Sequence, residues 1–140
     1  MNGSPRLLIV CPSAIRCVDV VRSLKSLNPS KEFPIAKLFA KHIKLHEQEK
    51  FLKEHQTAIA VATPQRAQKL IESDALNLKY LSLVILDGST IDSKQRTMFE
   101  IPEIKIQLFD LLCMDVIRDR FKGQKGAEGN QGRKSAICLY

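Results

Sequence analysis

Glycine is nearly absent from the first 122 residues: of the six in the chain, only Gly3 and Gly88 precede Gly123. No G-x-x-x-x-G-K-[ST] stretch occurs, so nothing cradles a β-phosphate and supplies its lysine. Cys11, Cys17, Cys113 and Cys138 form no C-x-x-C pair. They read as free, mostly buried thiols of a reducing compartment, and no histidine is placed to activate one for catalysis. The segment from His42 to His46 reads H-I-K-L-H; it lacks the glutamate of a zinc-protease helix and has no evident third ligand. His42, His46 and His55 are therefore taken as surface or packing residues, and neither metal nor cofactor is expected. No apolar run approaches the ~20 residues of a membrane span. Leu7–Cys11, closed by Pro12, is too short for a signal-peptide core. These absences describe a soluble, intracellular protein with no membrane partner and no small-molecule substrate. No internal repeat is present.

What remains is an ordinary globular composition: 140 residues, 44% hydrophobic and 26% charged, enough for one domain with a real core. The 22 Lys and Arg outnumber 15 Asp and Glu, for a net charge of +7. That balance favours polyanionic partners such as nucleic acid, although solvated lysines on helix faces give the same excess.

The stretch Ala58–Arg66 organises the rest. Ala58-Ile59-Ala60-Val61-Ala62 is an unalternating run of small and β-branched residues, the pattern of a strand covered on both faces. Thr63 suits an N-cap and Pro64 the first helical position. Leu7–Cys11 predicts a first strand, and Ser13 caps a helix to about Leu27 through Ala14, Val18, Val21 and Leu24. A second strand is expected over Phe33–Ala40, with a charged helix over Leu45–His55. Leu83–Asp87 is the fourth strand, and Asp92–Glu100 a loop or short helix. Ile101-Pro102-Glu103 opens a last helix whose broad apolar face is Ile104, Leu108, Leu111, Leu112, Val116 and Ile117, ending near Phe121. Met1–Pro5 reads as a polar lead. Residues 1–122 are expected to form the domain and 123–140 a flexible, Gly-rich tail, with Ala136–Tyr140 either a short terminal strand or frayed. Strands alternating with helices predict an α/β fold, a mainly parallel sheet flanked by helices.

Ligands of such sheets collect at the carboxyl ends of the strands. Two of those ends repeat one device, a hydroxyl cap with an arginine three positions on: Ser13 with Arg16, and Thr63 with Arg66. Side by side they would hold two phosphates of a nucleic-acid strand; the plain alternative is a pair of β-α corners with solvated arginines. Lys41 and Lys44 add long-range attraction. Asp87 ends a buried strand, where a Mg²⁺-binding acid would sit or where a turn acid commonly stands. Its neighbour is Gly88, so no adjacent carboxylate orients water.

The order of these segments resembles a known family. Leu8-Ile9-Val10-Cys11-Pro12-Ser13 is similar to motif Ia of the DEAD-box RNA helicases, and Val61-Ala62-Thr63-Pro64-Gln65-Arg66 to motif Ib. Leu83–Thr90 sits where motif II falls. Ala14 and Ile15 stand in place of the helicases' Arg and Glu, Gln65 in place of Gly, Gly88 in place of Glu and Thr90 in place of the final Asp. Ser135-Ala136-Ile137 matches motif III too loosely to count. Leu38–Lys44 and Ile101–Ile104 resemble the degenerate DEAD-box-like subunit family of the 90S pre-ribosome. The resemblance implies a partial RecA-like (P-loop NTPase-like) domain without the phosphate loop, and a charged N-terminal region missing or shortened here. It also implies a nucleolar factor of small-subunit assembly that binds RNA or ribonucleoprotein without a helicase cycle. Ser13, Thr63 and Arg66 match RNA-contact positions of that family, whereas Ala14 and Ile15 do not. The expected function is therefore a non-catalytic one in pre-rRNA processing and assembly, with RNA and pre-ribosomal proteins as partners. The alternatives are a protein-docking module and, third, a fragment of a working helicase.

Overall fold

A computed structural model of the chain describes residues 2–27, 33–122 and 136–140. Its centre is β1 (Leu7–Val10), whose four apolar residues are flanked on both sides by equally apolar strands. β3 (Ile59–Ala62) pairs with it in register Leu7 to Ile59, and β4 (Leu83–Leu86) in register Leu7 to Leu83. β2 (Ala36–Leu38) lies outside β3 and β5 (Ala136–Leu139) outside β4, giving the order β2-β3-β1-β4-β5 with every pair parallel. Between the strands run α1 (Ala14–Leu27), α2 (Leu45–Glu54), α3 (Pro64–Glu72), α4 (Pro102–Cys113) and α5 (Asp115–Lys122).

Alternate residues of a strand face opposite ways, and the two faces of this sheet are filled unequally. Leu8, Val10, Ala60, Ala62, Val84 and Leu86 look toward Leu52 of α2, Leu70 of α3, Leu108 and Leu111 of α4 and Ile117 of α5. Ile9, Cys11 and Val61 look the other way, onto Cys17 and Val21 of α1. Among the described residues α1 is the only helix contributing to that second layer, and it leaves Lys37 of β2 exposed beside it.

Three expectations are revised. The last helix is two: Met114 is extended (φ −57°, ψ 133°) between α4 and α5. The apolar stripe of α4, continued at helical spacing, would fall on Asp115; the extended residue re-aims the chain so that Ile117 is buried. Val116, expected to face inward, is 53% exposed. Cys113, on the last residue of α4, is exposed, as is Cys138 on β5, so only Cys11 and Cys17 are buried thiols. The polar lead is packed: Gly3, Ser4 and Pro5 are buried. Gly3 has φ +63°, and a Cβ there would lie 2.5 Å from the Ala75 carbonyl oxygen. Its N–H donates to His55 O (3.3 Å) and its carbonyl accepts from Asn77 N (2.8 Å). Ala136–Leu139, left open between strand and frayed end, is a strand. The expected tail over 123–134 lies outside the described residues.

An edge strand must deal with its outward-facing backbone groups. On β2 this falls to one buried side chain. Gln48 Nε2 donates to Lys37 O (2.8 Å) and Phe39 O (2.9 Å), while Gln48 Oε1 accepts from Arg66 Nη1 (2.9 Å). Gln48→Ala strips both carbonyls and Arg66 of this partner. It should lower stability by about 1–3 kcal/mol, measurable by urea unfolding. An exposed control, Gln65→Ala, should change little.

Candidate nucleic-acid interface at the strand tips

The carboxyl ends of β1, β3 and β4 are neighbours, which brings Ser13, Thr63 and Asp87 onto one rim. Ser13 caps α1 as expected: its hydroxyl accepts from Arg16 N (3.2 Å) and its carbonyl from Cys17 N (3.0 Å). Thr63 occupies the N-cap of α3 with extended backbone, but its hydroxyl makes no capping bond; only its carbonyl accepts, from Ala67 N (3.0 Å).

The two arginines do not stand side by side. Arg16, following β1, crosses to β4: its Nε donates to Asp87 Oδ2 at 2.6 Å and its Nη2 to Ser89 Oγ at 3.4 Å. Arg66, following β3, turns the opposite way toward β2, donating to Ile43 O (3.2 Å) and Gln48 Oε1. Each guanidinium is thus occupied within the chain. Lys41 and Lys44 are exposed, and among the described residues neither side chain forms an ion pair. The Lys44 N–H donates to Glu47 Oε2 (2.8 Å), so α2 is capped without using the lysine side chain.

Asp87 is only 2% exposed. Oδ1 accepts from Ser89 N (3.2 Å) and Ser89 Oγ (2.6 Å); Oδ2 accepts from Arg16 and from Thr90 Oγ1 (3.4 Å). A carboxylate offers about four acceptor sites, and all are taken by the chain's own donors. Burial alone would raise its pKa; the hydrogen bonds from Ser89 and Arg16 outweigh it and hold the carboxyl below its ordinary value. Arg16 is shifted upward, chiefly by the same bond to Asp87. Gly88 is closed in as well. Its N–H donates to Tyr140 O at 2.7 Å, and a Cβ would meet Phe99 Cε2 at 2.7 Å and Tyr140 O at 3.1 Å. There is no space for a glutamate at this position without displacing Phe99. Beneath the rim, a hydrogen bond to Cys11 and burial push the Cys17 thiol well up, so it stays protonated.

The sequence reading missed the partners of Asp87, although Asp-Gly-Ser-Thr carries part of the signal: an aspartate in a turn commonly accepts from the backbone N–H two residues on, as Asp87 does from Ser89. It also missed Gln48, for which no local pattern exists. His42 is exposed with φ +59°, and His55 stacks on Phe51 with ring centroids 4.5 Å apart. Among the described residues, no group of three or more His, Cys, Asp or Glu is placed to hold a metal. Nor is any helix long and apolar enough to cross a membrane.

Residues 1–130 match the model of the CMS1 family, described as a U3-containing 90S pre-ribosomal complex subunit. The chain belongs to this family. Protein CMS1 of Chaetomium thermophilum is 42% identical over 124 residues, covering 89% of this chain and 49% of that protein. Human Protein CMSS1 is 38% identical over 79% of this chain and 39% of its own length. Schizosaccharomyces pombe Protein cms1 is 32% identical over 99% of this chain and 46% of its own. The chain thus spans half or less of each of these relatives. Among solved structures, the yeast DEAD-box splicing factor Prp28 superposes with a TM-score of 0.58 at 17% identity, over 97% of this chain and 28% of that one. The family's fold here is that of a DEAD-box RecA-like domain: a parallel five-stranded sheet flanked by helices.

Removing Arg16 leaves a buried carboxylate without its cation. Arg16→Met should cost on the order of 2 kcal/mol, below the ~3–5 of a fully buried pair because the Arg16 side chain is 31% exposed. Because the Asp87 pKa is depressed on folding, its contribution is full above the unfolded value of ~3.9 and is lost as pH falls through the lower folded value. Chemical-denaturation curves between pH 5 and 2.5 should therefore fall more steeply for the wild type than for Asp87→Asn.

Proposed function

We propose that this chain is a non-catalytic platform that binds RNA or ribonucleoprotein in small-subunit ribosome assembly, working in the nucleolus as part of 90S pre-ribosomes. The non-catalytic half of the reading is carried by Asp87. In a phosphoryl-transfer site the strand-end acid holds Mg²⁺ and a neighbouring group orients water. Here Arg16 supplies the counter-charge, Ser89 and Thr90 fill the remaining acceptor sites, and an acid at the next position would have to displace Phe99. The RNA half is supported by the rim itself, where the α3 N-terminus and the Ser13 and Thr63 hydroxyls share one edge with Lys41 and Lys44, in a chain of net charge +7. Such contacts position a phosphate backbone without reading bases.

Ile15 favours a second reading. It is 68% exposed immediately after Ser13 and Ala14, an apolar group where a backbone-gripping rim would carry charge, so the same rim would dock a protein. Crosslinking in cells separates the two: RNA adducts on Ser13–Arg16 or Thr63–Arg66 support the first, protein-only adducts the second.

Fluorescence anisotropy with a labelled oligouridylate tests the RNA reading directly. Binding should weaken with salt and be indifferent to ATP. Lys41→Gln with Lys44→Gln should make the slope of log affinity against log salt shallower by about 1.4, two phosphate contacts at ~0.7 each. No affinity at low salt would end the RNA reading. RNA-stimulated ATP hydrolysis lost in Asp87→Asn would end the non-catalytic one.

A further inference from the structure

α1 covers only part of its face of the sheet. Between it and β2 lies an open groove of about 300 Å³. Its floor is aliphatic, made by Val18 and Val21 of α1 and by Ile43. Its rim is cationic: Arg22 and Lys25 come from α1, Lys37 from β2 and Lys41 from the connection that follows. Among the described residues no carboxylate lines it; the nearest acid on α1, Asp19, sits 3.8 Å from Arg22 and leaves the lysines untouched.

We propose that this groove docks an acidic linear segment of a partner protein, anchored by one or two aliphatic side chains. Charge complementarity selects the acidic character, since four cations ring the opening and every one is exposed. The floor selects a peptide over RNA. Single-stranded RNA binds by stacking successive bases on open aromatic faces; of the groove's two rings Phe39 is only 3% exposed, which leaves the lone imidazole of His42 and no run of stacking surfaces. A volume at the low end of ligand pockets suits a Leu or Ile side chain. A second copy of this chain is disfavoured by its own net charge of +7. The groove shares Lys41 with the Ser13–Thr63 rim but none of its other lining residues, and the inference does not rest on RNA binding there.

The test uses the 140-residue chain and a fluorescent 12-residue probe of alternating Asp and Glu around a central Leu-Ile. Binding should saturate, and Lys25→Glu with Lys37→Glu should weaken it at least about tenfold. Both positions are exposed, and thermal melting should show the fold intact. Replacing Leu-Ile by Ser-Ser in the probe should weaken binding by a similar factor. Equal affinity for the Ser-Ser probe would overturn the proposal by reducing it to unspecific charge attraction. An oligouridylate weakened by the double variant while the peptide is not would assign the groove to RNA and overturn it. Self-association abolished by the same variant would assign it to a second copy and do likewise. Loss of all oligouridylate binding with the peptide results intact would count against the RNA platform alone.

Discussion

A carboxylate buried at the tip of a strand needs a cation, and in this chain it takes one from the neighbouring helix. The 2.6 Å bond from Arg16 to Asp87 joins the first turn of α1 to the end of β4, across 71 residues of sequence. Much of the rim's geometry follows from it. Satisfying Asp87 internally fixes Arg16 at that end of α1, leaves Ser13 free to cap the helix, and draws in the Ser89 and Thr90 hydroxyls. Gly88 completes the closure by letting the end of β5 and the ring of Phe99 come within contact distance of the turn.

Arg66 makes a parallel choice at the other side of the sheet. It orients Gln48, and Gln48 in turn satisfies the carbonyl of Lys37 on β2 and that of Phe39 just after it. The two arginines that resemble a pair in the sequence are therefore each committed to holding the sheet's surroundings, one toward β4 and one toward β2. Positive charge offered to a partner is left to lysines: Lys41 and Lys44 on the rim, Lys25 of α1 and Lys37 of β2 along the groove. A lysine ammonium is a mobile point charge rather than a planar fork, which suits contact with a backbone or an acidic peptide more than readout of a particular base.

The strands were legible because β1, β3 and β4 are continuous apolar runs, and α3 because Thr63-Pro64 marks its start. Parallel pairing followed from the alternation of strands with helices. What was not legible was where long side chains turn. Arg16 and Arg66 sit at the same local position relative to their caps, and nothing within ten residues of either says that one reaches β4 and the other β2. Their partners are set by the strand order β2-β3-β1-β4-β5, a long-range property. The break at Met114 was missed for a related reason: the apolar spacing of α4 and α5 is nearly continuous, and one extended residue suffices to shift it. Gln48 carries no sequence signal, since a glutamine on a charged helix reads as solvated until the strand edge beside it is known.

Gly3 sets the direction from which the chain enters the domain. Its bonds to His55 and Asn77 lie where the chain approaches β3 and β4, at the amino ends of the strands, and its left-handed φ bends the backbone there. An affinity tag or dye placed ahead of Asn2 consequently departs from the pole opposite Ser13 and Thr63. Immobilising the protein by that end presents the lysine-bearing rim outward to solution.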